Sequence, residues 1–170
     1  MIRLSKKADY GVFVMGQLAA RAAATEGPTP VLSAQDLADR ANLNRSVVAN
    51  LLKDFARAGL LESERGVNGG YRLSRAPEEI SLKDILAAVE GPFVLVDCAS
   101  DLVAKLGGET EVCALTCLCH SRSPMRRVHE RITRMFETIR LPELCDLPAA
   151  STLGALAPAG TTARPDGDHH

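Results

Sequence analysis

Four of the five cysteines in this chain lie in one segment that also ends in a histidine. The segment, residues 98–120, reads CASDLVAKLGGETEVCALTCLCH. Thiolate sulfurs are soft ligands that favour iron-sulfur clusters and zinc. An odd number of cysteines does not suit a framework of disulfides. The segment therefore predicts a metal site, and the rest of the chain must supply the elements that position it.

Zinc is a competing occupant of this segment, because Cys113, Cys117, Cys119 and His120 supply four donors of suitable type. Their crowding argues against zinc, since Cys-x-Cys-His places neighbouring donors closer together than common structural zinc loops do. Zinc would also leave Cys98 without a role. A third interpretation is that the cysteines bind no metal and are small apolar residues.

Length and composition bound the class of protein. A chain of 170 residues of which 46% are apolar can form one ordinary domain, or a small domain with an appendage. No apolar stretch reaches the ~18 residues of a membrane-spanning helix, and the first residues lack the apolar core of a secretory signal. We therefore expect a cytoplasmic protein with no membrane partner. The sequence shows no combination of a nucleophile, a general base and a group that orients the base, so we expect no enzymatic activity.

The net charge of -1 conceals an uneven distribution. Residues 1–75 carry eleven basic and seven acidic side chains, and the remainder carries nine and fourteen. The amino-terminal half therefore has the electrostatics that attract a phosphate backbone, although weakly.

Three helices are predicted in the first sixty residues. The first extends from Ser5 to Ala24, and the second follows Ser33, an N-cap with a carboxylate three residues on. The third begins after Asn44 and ends at Gly59, at the position of a C-cap glycine. A short helix, a tight turn and a longer amphipathic helix form a helix-turn-helix, with a generic helical bundle as the alternative.

Two short strand-like runs follow the third helix. Leu60–Glu64 and Gly70–Ser74 flank a glycine-rich tip that contains Arg65. Such a hairpin presents arginine and open backbone to phosphates and to a minor groove, and it disfavours the generic bundle. We therefore predict a mainly α fold, a winged helix-turn-helix with a small β-hairpin wing and a long C-terminal dimerisation helix.

Two further helices are predicted on either side of the cysteine segment. Ser81, with Asp84 three residues on, caps a helix from Leu82 to Val89, and Ser123 with the following proline opens a longer one. The predicted organisation is a DNA-binding domain at 1–77, a linker helix and cysteine segment at 78–122, a dimerisation helix at 123–147 and a disordered tail at 148–170.

The last helix carries an apolar stripe that we expect to pack on a second subunit. The stripe is formed by Val128, Ile132, Met135, Phe136 and Ile139. On the same helix His129 is predicted to face solvent. Cys145, alone near the end of this helix, is predicted to be a thiol without a metal.

Several phrases of the chain resemble, in order, the Rrf2 family of winged-helix regulators. They are MIRLSKKADYGV, LADRANLNRSVVANLLKDFARAGLLESERGVNGGYRLSR, ISLKDILAAVEGP and the cysteine segment, with RGVNGGYRLSR the most specific. The resemblance extends from residue 1 to about residue 145 and is greatest to regulators of SUF-type iron-sulfur cluster assembly. It implies a homodimer that binds promoter DNA, with each recognition helix in a major groove and an iron-sulfur cluster held by three cysteines.

Carried over by position, the resemblance makes Cys98, Cys113 and Cys119 the cluster ligands, with Cys117 as an alternative to Cys119. Fourteen residues separate Cys98 from Cys113, a spacing closer to SUF-type regulators than to IscR-like members. A [2Fe-2S] cluster is favoured, with [4Fe-4S] as the alternative. The fourth ligand is assigned to Asp9 from the first helix of the other subunit, as in NsrR-like members, with His120 as the alternative.

The third helix supplies the predicted base-reading residues, because helix-turn-helix proteins read DNA with the start of this helix. The candidates are Asn44, Arg45, Ser46, Asn50 and Lys53. The resemblance places Arg65 of the wing at a minor groove, and Lys6, Lys7 and Arg72 are assigned to phosphate contacts.

The expected function is a DNA-binding transcriptional regulator whose cluster senses iron, redox or nitric oxide status. Its expected targets are genes for SUF-type cluster assembly or iron homeostasis. The alternatives are a winged-helix DNA-binding protein with a structural zinc or no metal, and a winged helix reused for protein contacts, such as a cluster carrier.

Overall fold

The structure, a computed structural model, describes residues 4–25, 31–66, 69–96 and 119–145. These ranges form a mainly helical fold with one two-stranded antiparallel sheet, so the predicted winged helix-turn-helix is confirmed. In chain order the elements are α1 (Lys6–Ala23), α2 (Ala34–Ala41), α3 (Arg45–Arg57), β1 (Leu61–Glu64), β2 (Gly70–Leu73), α4 (Leu82–Glu90) and α5 (Arg122–Thr138), with 3-10 turns at Pro77–Glu79 and Leu141–Leu144. No helix in these ranges combines the length and apolar character needed to cross a bilayer.

Side-chain caps fix where the first three helices begin, and the caps at Ser33 and Asn44 were predicted. The Ser5 hydroxyl accepts a backbone N–H of α1 at 3.1 Å. Ser33 and Asp36 form a reciprocal capping box at α2, and Asn44 Oδ1 accepts a backbone N–H of α3 at 2.8 Å. Between α2 and α3, Asn42 reverses the chain with a φ of 50°, a left-handed conformation that asparagine tolerates.

The apolar face of α3 lies in the core. Val48, Leu51, Leu52 and Phe55 are fully buried and pack with apolar side chains of α1, α2 and α4. Burial of each such side chain contributes about 1.5–3 kcal/mol to folding. A Cβ at Gly11 of α1 would lie 3.1 Å from Phe55 Cζ, so the glycine allows α1 to approach α3 closely. The apolar face of α3 is therefore held closely against α1 and the core.

The wing is anchored to the residue that precedes the N-cap of α2. Leu61 and Leu73 face each other across the hairpin and are buried, which attaches its base to the core. Leu32 and Tyr71 exchange two backbone hydrogen bonds of 2.9 Å. A Cβ at Gly70 would lie 2.5 Å from the Leu32 carbonyl oxygen, so this close approach requires glycine.

The chain that leaves α5 returns to the segment that precedes α4. The N–H of Leu82 donates to the Ile139 carbonyl at 2.9 Å, and the N–H of Leu141 donates to the Ile80 carbonyl at 2.9 Å. Leu82 also packs with Phe136 in a second apolar cluster. These contacts attach α5 to the helix-turn-helix through α4.

The last helix starts earlier than predicted and buries a different face. It begins at Arg122, after Ser121, so Ser123 lies inside the helix and is not its N-cap. Val128 and Met135 of the predicted stripe are 42% and 51% exposed. Val128 and Met135 are seven residues apart and therefore lie on the same face of the helix. The residues that follow them, His129 and Phe136, are rotated by about 100° around the helix axis and lie on its buried face.

His129 was predicted to face solvent, and this prediction is wrong. The residue is only 8% exposed, and its ring stacks on Phe93 with centroids 5.6 Å apart and an interplanar angle of 3°. Phe136, seven residues further along α5, contacts the same Phe93 ring edge-on, with the ring centroids 5.3 Å apart. The buried face of α5 therefore begins at a histidine, whose polar type suggested exposure when read from the sequence.

Candidate nucleic-acid interface and cysteine segment

The exposed face of α3 carries the predicted base-reading residues. Ser46, Asn50 and Lys53 are exposed and follow i, i+4, i+7 spacing, so they lie along one face opposite the buried stripe. Asn44 is exposed but already uses its side-chain oxygen as the helix cap. Val47, which sequence reasoning missed, is 38% exposed between these polar residues. An apolar group here suits the methyl group of thymine.

A cleft of about 510 Å³ separates α3 from the wing. The structure brings Arg45 of α3 and Arg65 of the wing to its lining, although they are twenty residues apart in the sequence. The cleft is also lined by Ser33, Ala34, Ser63, Glu64, Gly66, Gly69, Gly70 and Tyr71. Both arginines are exposed, and neither forms an ion pair with a described residue. Two cations in one polar cleft suit a phosphate backbone.

Arg72 and Lys7 were assigned to phosphate contacts from the sequence, but both form ion pairs with carboxylates in the structure. Arg72 forms ion pairs with Glu62 and Glu64 on the neighbouring strand. Lys7 donates to Asp54 Oδ2 of α3 and to the Val89 carbonyl of α4, both at 2.9 Å. Lys7 thus connects three helices, a role that its sequence position did not indicate.

The capping box at α2 places an ionised carboxylate next to the cleft. The hydroxyl and the backbone N–H of Ser33 donate to Asp36 at 2.7 and 3.2 Å. These hydrogen bonds, with a smaller contribution from the charge of Arg40, lower the pKa of Asp36 below its ordinary value of 3.8. The carboxylate therefore stays charged at neutral pH and favours the positive end of α2.

The structure describes part of the predicted metal site. Cys119 is half-buried just before α5, His120 next to it is exposed, and Asp9 is exposed in the first turn of α1. Cys98, Cys113 and Cys117 lie outside the described residues. Within the described ranges, no three histidine, cysteine or carboxylate side chains come together as a metal site.

Cys145 ends the 3-10 turn that follows α5. Its thiol packs on α1, where a Cβ built on Gly16 would come within 2.6 Å of Sγ. Cys145 therefore packs against the core and joins the turn after α5 to α1.

A helix-turn-helix whose recognition helix shares an arginine-lined cleft with a β-hairpin is a winged-helix DNA-binding protein. The profile of the Rrf2 family, described as iron-dependent transcriptional regulators, matches residues 4–147. The chain therefore belongs to the Rrf2 family of DNA-binding transcriptional regulators, as the sequence resemblance predicted.

Individual relatives agree with this assignment. The chain is 28% identical to the transcriptional regulator NsrR of Bacillus licheniformis over 118 residues, which cover 69% of this chain and 74% of that one. It is 29% identical to the regulator IscR of Aliivibrio salmonicida over 143 residues, covering 84% and 77%. The structure of CymR, the global cysteine regulator of B. subtilis, superposes with a TM-score of 0.61 at 25% identity, covering 86% and 98%. These relatives are regulators and not enzymes, which confirms the expected absence of enzymatic activity.

Proposed function

We propose that this protein is a homodimeric promoter-binding regulator whose iron-sulfur cluster sets its affinity for DNA. Its proposed targets are genes of SUF-type cluster assembly or of iron homeostasis, and its proposed signal is iron, redox or nitric oxide status. The observation that carries the proposal is the thiolate-rich segment joined to an arginine-lined winged helix. The iron-dependent description of the family supports it.

The donor set fits a cluster in its chemistry. Cys98, Cys113 and Cys119 supply three thiolates, the usual ligands of iron-sulfur clusters, and Asp9 or His120 supplies a fourth donor of a different type. We favour [2Fe-2S] over [4Fe-4S]. Asp9 is exposed on α1, as a ligand that reaches a partner subunit must be. When bound, the cluster supplies iron-thiolate bonds that oxygen, nitric oxide or iron limitation can break.

The surface of α5 supports the proposed dimer. Val128 and Met135 lie one above the other on its outer face, with 42% and 51% of their surface exposed. Phe13 of α1 is also exposed. Burial of such side chains in an interface would stabilise the dimer by about 25 cal/mol for each Å² of apolar surface removed from water. Dimerisation also supplies the two recognition helices that a pair of operator half-sites requires.

The cleft between α3 and the wing supports the proposed path of the DNA. One phosphate backbone would pass between Arg45 and Arg65, while Ser46, Asn50 and Lys53 face base edges in the major groove. Arg65, at the wing, would enter the adjacent minor groove, where the potential is most negative. Arg72, which was assigned to phosphate from the sequence, is held by two carboxylates in the structure and is left out of this path.

A physical route connects the cysteine segment to the recognition helix. The segment follows α4 after Gly91, and the last turn of α4 is joined through Lys7 to Asp54 of α3. A shift at the end of α4 therefore changes a contact of the recognition helix itself. Only about 1–3 kcal/mol of coupling is needed for a useful change in operator affinity.

The proposal is tested by anaerobic purification, with an absorption spectrum and iron and sulfide analysis. We expect a coloured protein whose colour is lost in Cys98→Ala, Cys113→Ala and Cys119→Ala and kept in Cys117→Ala. Asp9→Ala and His120→Ala identify the fourth ligand by an altered spectrum. Zinc without sulfide, or a pale protein after supply of iron and sulfide, would instead favour the zinc or metal-free regulator.

The regulatory part of the proposal needs a second measurement. DNA binding is compared for the cluster-containing and cluster-free protein at several salt concentrations, using a duplex that the protein selects from a random-sequence library. We expect different affinities for the two forms. Equal affinities at every salt concentration would refute the switch and leave DNA binding intact.

A further inference from the structure

One face of the wing carries a cluster of three charged side chains, Glu62, Glu64 and Arg72, here called the wing cluster. Arg72 donates to Glu62 Oε2 through Nε at 3.1 Å and through Nη2 at 3.0 Å. Its third nitrogen, Nη1, donates to Glu64. Every nitrogen of the guanidinium therefore already faces a carboxylate oxygen.

The strand register explains why this cluster forms. Glu62 stands directly opposite Arg72, and Glu64 stands opposite Gly70. Because side chains alternate between the faces of a strand, all three charged residues share one face of the hairpin. Gly70 leaves the position opposite Glu64 without a side chain, so the guanidinium can reach diagonally across to that carboxylate.

The wing cluster borders the proposed DNA path. Glu64 lines the cleft together with Arg45 and Arg65, whereas Arg72 is absent from the lining. A carboxylate in the wall of a phosphate-binding cleft repels the ligand at distances below the Debye length of about 8–10 Å. The wing cluster carries a net charge of -1, and removal of Arg72 would leave the two carboxylates with -2, equal and opposite to the charge of the two cleft arginines. The pairing by Arg72 therefore keeps the combined charge of the cleft arginines and the wing cluster positive.

We propose that Arg72 is a positioning residue for DNA binding, which acts by pairing with Glu62 and Glu64 and partly offsetting their charge, and does not itself contact DNA. This inference rests on the proposed DNA-binding function of the cleft. Direct phosphate contact by Arg72 would require its donors to leave the two carboxylates and expose them beside the phosphates. The two roles predict different consequences when the carboxylates are removed together with the arginine.

The test is a comparison of DNA affinity among three variants of the full chain. Fluorescence anisotropy is measured with a labelled duplex that the wild-type protein selects from a random-sequence library. The variants are Arg72→Met, the triple variant Glu62→Gln/Glu64→Gln/Arg72→Met, and the matched control Arg75→Met. Arg75 pairs with Asp84 at 3.0 Å and does not line the cleft, so the control removes one cation from elsewhere.

We expect Arg72→Met to weaken binding by about tenfold and Arg75→Met to stay within about threefold of the wild type. The triple variant, whose wing cluster has no net charge in place of -1, should bind at least as tightly as the wild type. The slope of log affinity against log salt should be unchanged in the triple variant. A phosphate contact by Arg72 would leave the triple variant weak and its slope shallower by about 0.9, which overturns the inference. If Arg72→Met does not fold, the affinity and slope of the triple variant decide alone.

Failure of the inference is distinguishable from failure of the proposed function. A wild-type protein that selects no duplex would remove the proposed function and the inference together. A wild-type protein that binds its selected duplex, with affinity not restored in the triple variant, would remove the inference alone.

Discussion

The ammonium of Lys7 in α1 lies 2.9 Å from Oδ2 of Asp54 in α3 and also donates to the Val89 carbonyl of α4. Arg57 holds the other oxygen of Asp54 at 3.2 Å, so this carboxylate is fixed on both sides. Val89 lies in the last turn of α4, where the helix dipole is negative and favours a cation. One side chain thus links the recognition helix to the helix that precedes the cysteine segment.

Replacement of Lys7 by methionine should lower the free energy of unfolding by about 1 kcal/mol. The effect is modest because the lysine side chain is 48% exposed and the ion pair is screened by water. Lys6→Met is the matched control, since Lys6 is exposed and has no ion pair with a described residue. Urea denaturation measures both, and equal losses in the two variants would contradict the bridging role.

Replacement of Gly70 by alanine should detach the wing from the segment before α2. The new Cβ would lie 2.5 Å from the Leu32 carbonyl oxygen, which forces apart two backbone hydrogen bonds. We expect a loss of about 2 kcal/mol in stability and weaker binding to the selected duplex. Gly59→Ala is the comparison, because its cost of about 1 kcal/mol comes from a positive φ with open space around it. Unchanged DNA affinity in Gly70→Ala would contradict the anchoring of the wing.

Replacement of Gly16 by alanine should be rescued by a second change at Cys145. The Cβ would lie 2.6 Å from Cys145 Sγ, and such overpacking costs about 1–3 kcal/mol. Cys145→Ala removes the sulfur, so the double variant should be more stable than Gly16→Ala alone. Thermal unfolding of the four proteins in a double-mutant cycle measures this coupling. Additive losses would show that the two residues do not meet.

Replacement of His129 by phenylalanine should stabilise the protein. Nδ1 of His129 and Oγ1 of Thr133 are buried without a hydrogen-bond partner in the described part of the chain, and both lie on α5. An unsatisfied buried polar atom costs about 1–3 kcal/mol, so His129→Phe and Thr133→Val should each raise the free energy of unfolding by about 1 kcal/mol. Arg131→Gln, at an exposed position of the same helix, serves as the control. A loss of stability in both variants would mean that these atoms gain partners in the assembled protein.

Local signals in the sequence predicted the helix-turn-helix and the wing closely. Ser33 with Asp36 and Asn44 cap the helices as expected, and Gly59 ends α3 with a φ of 73°. Such caps are visible in the sequence because each involves residues within three positions of one another. The candidate DNA-contacting residues of α3 were found for the same reason, since the start of a recognition helix is defined by its cap.

The last helix was predicted less well, because its faces are set by distant residues. Val128 and Met135 are apolar yet exposed, while His129 is polar yet buried against Phe93. The sequence gives the period of the helix but not its rotation, which the packing against α4 decides. The start at Arg122 differed for a related reason, since Ser121 precedes the helix without a side-chain cap that would mark its position.

The sequence by itself determined the class of fold, the family and the donor types of the cysteine segment, because caps, turns and ligand chemistry depend on residues close together in the chain. Only the tertiary structure decided which charges are available to a ligand. It placed Arg45 and Arg65 in one cleft, engaged Arg72 with two carboxylates and directed Lys7 to Asp54. The physical reason is that a charge is available only if no opposite charge lies within contact distance, and the chain fold sets those distances.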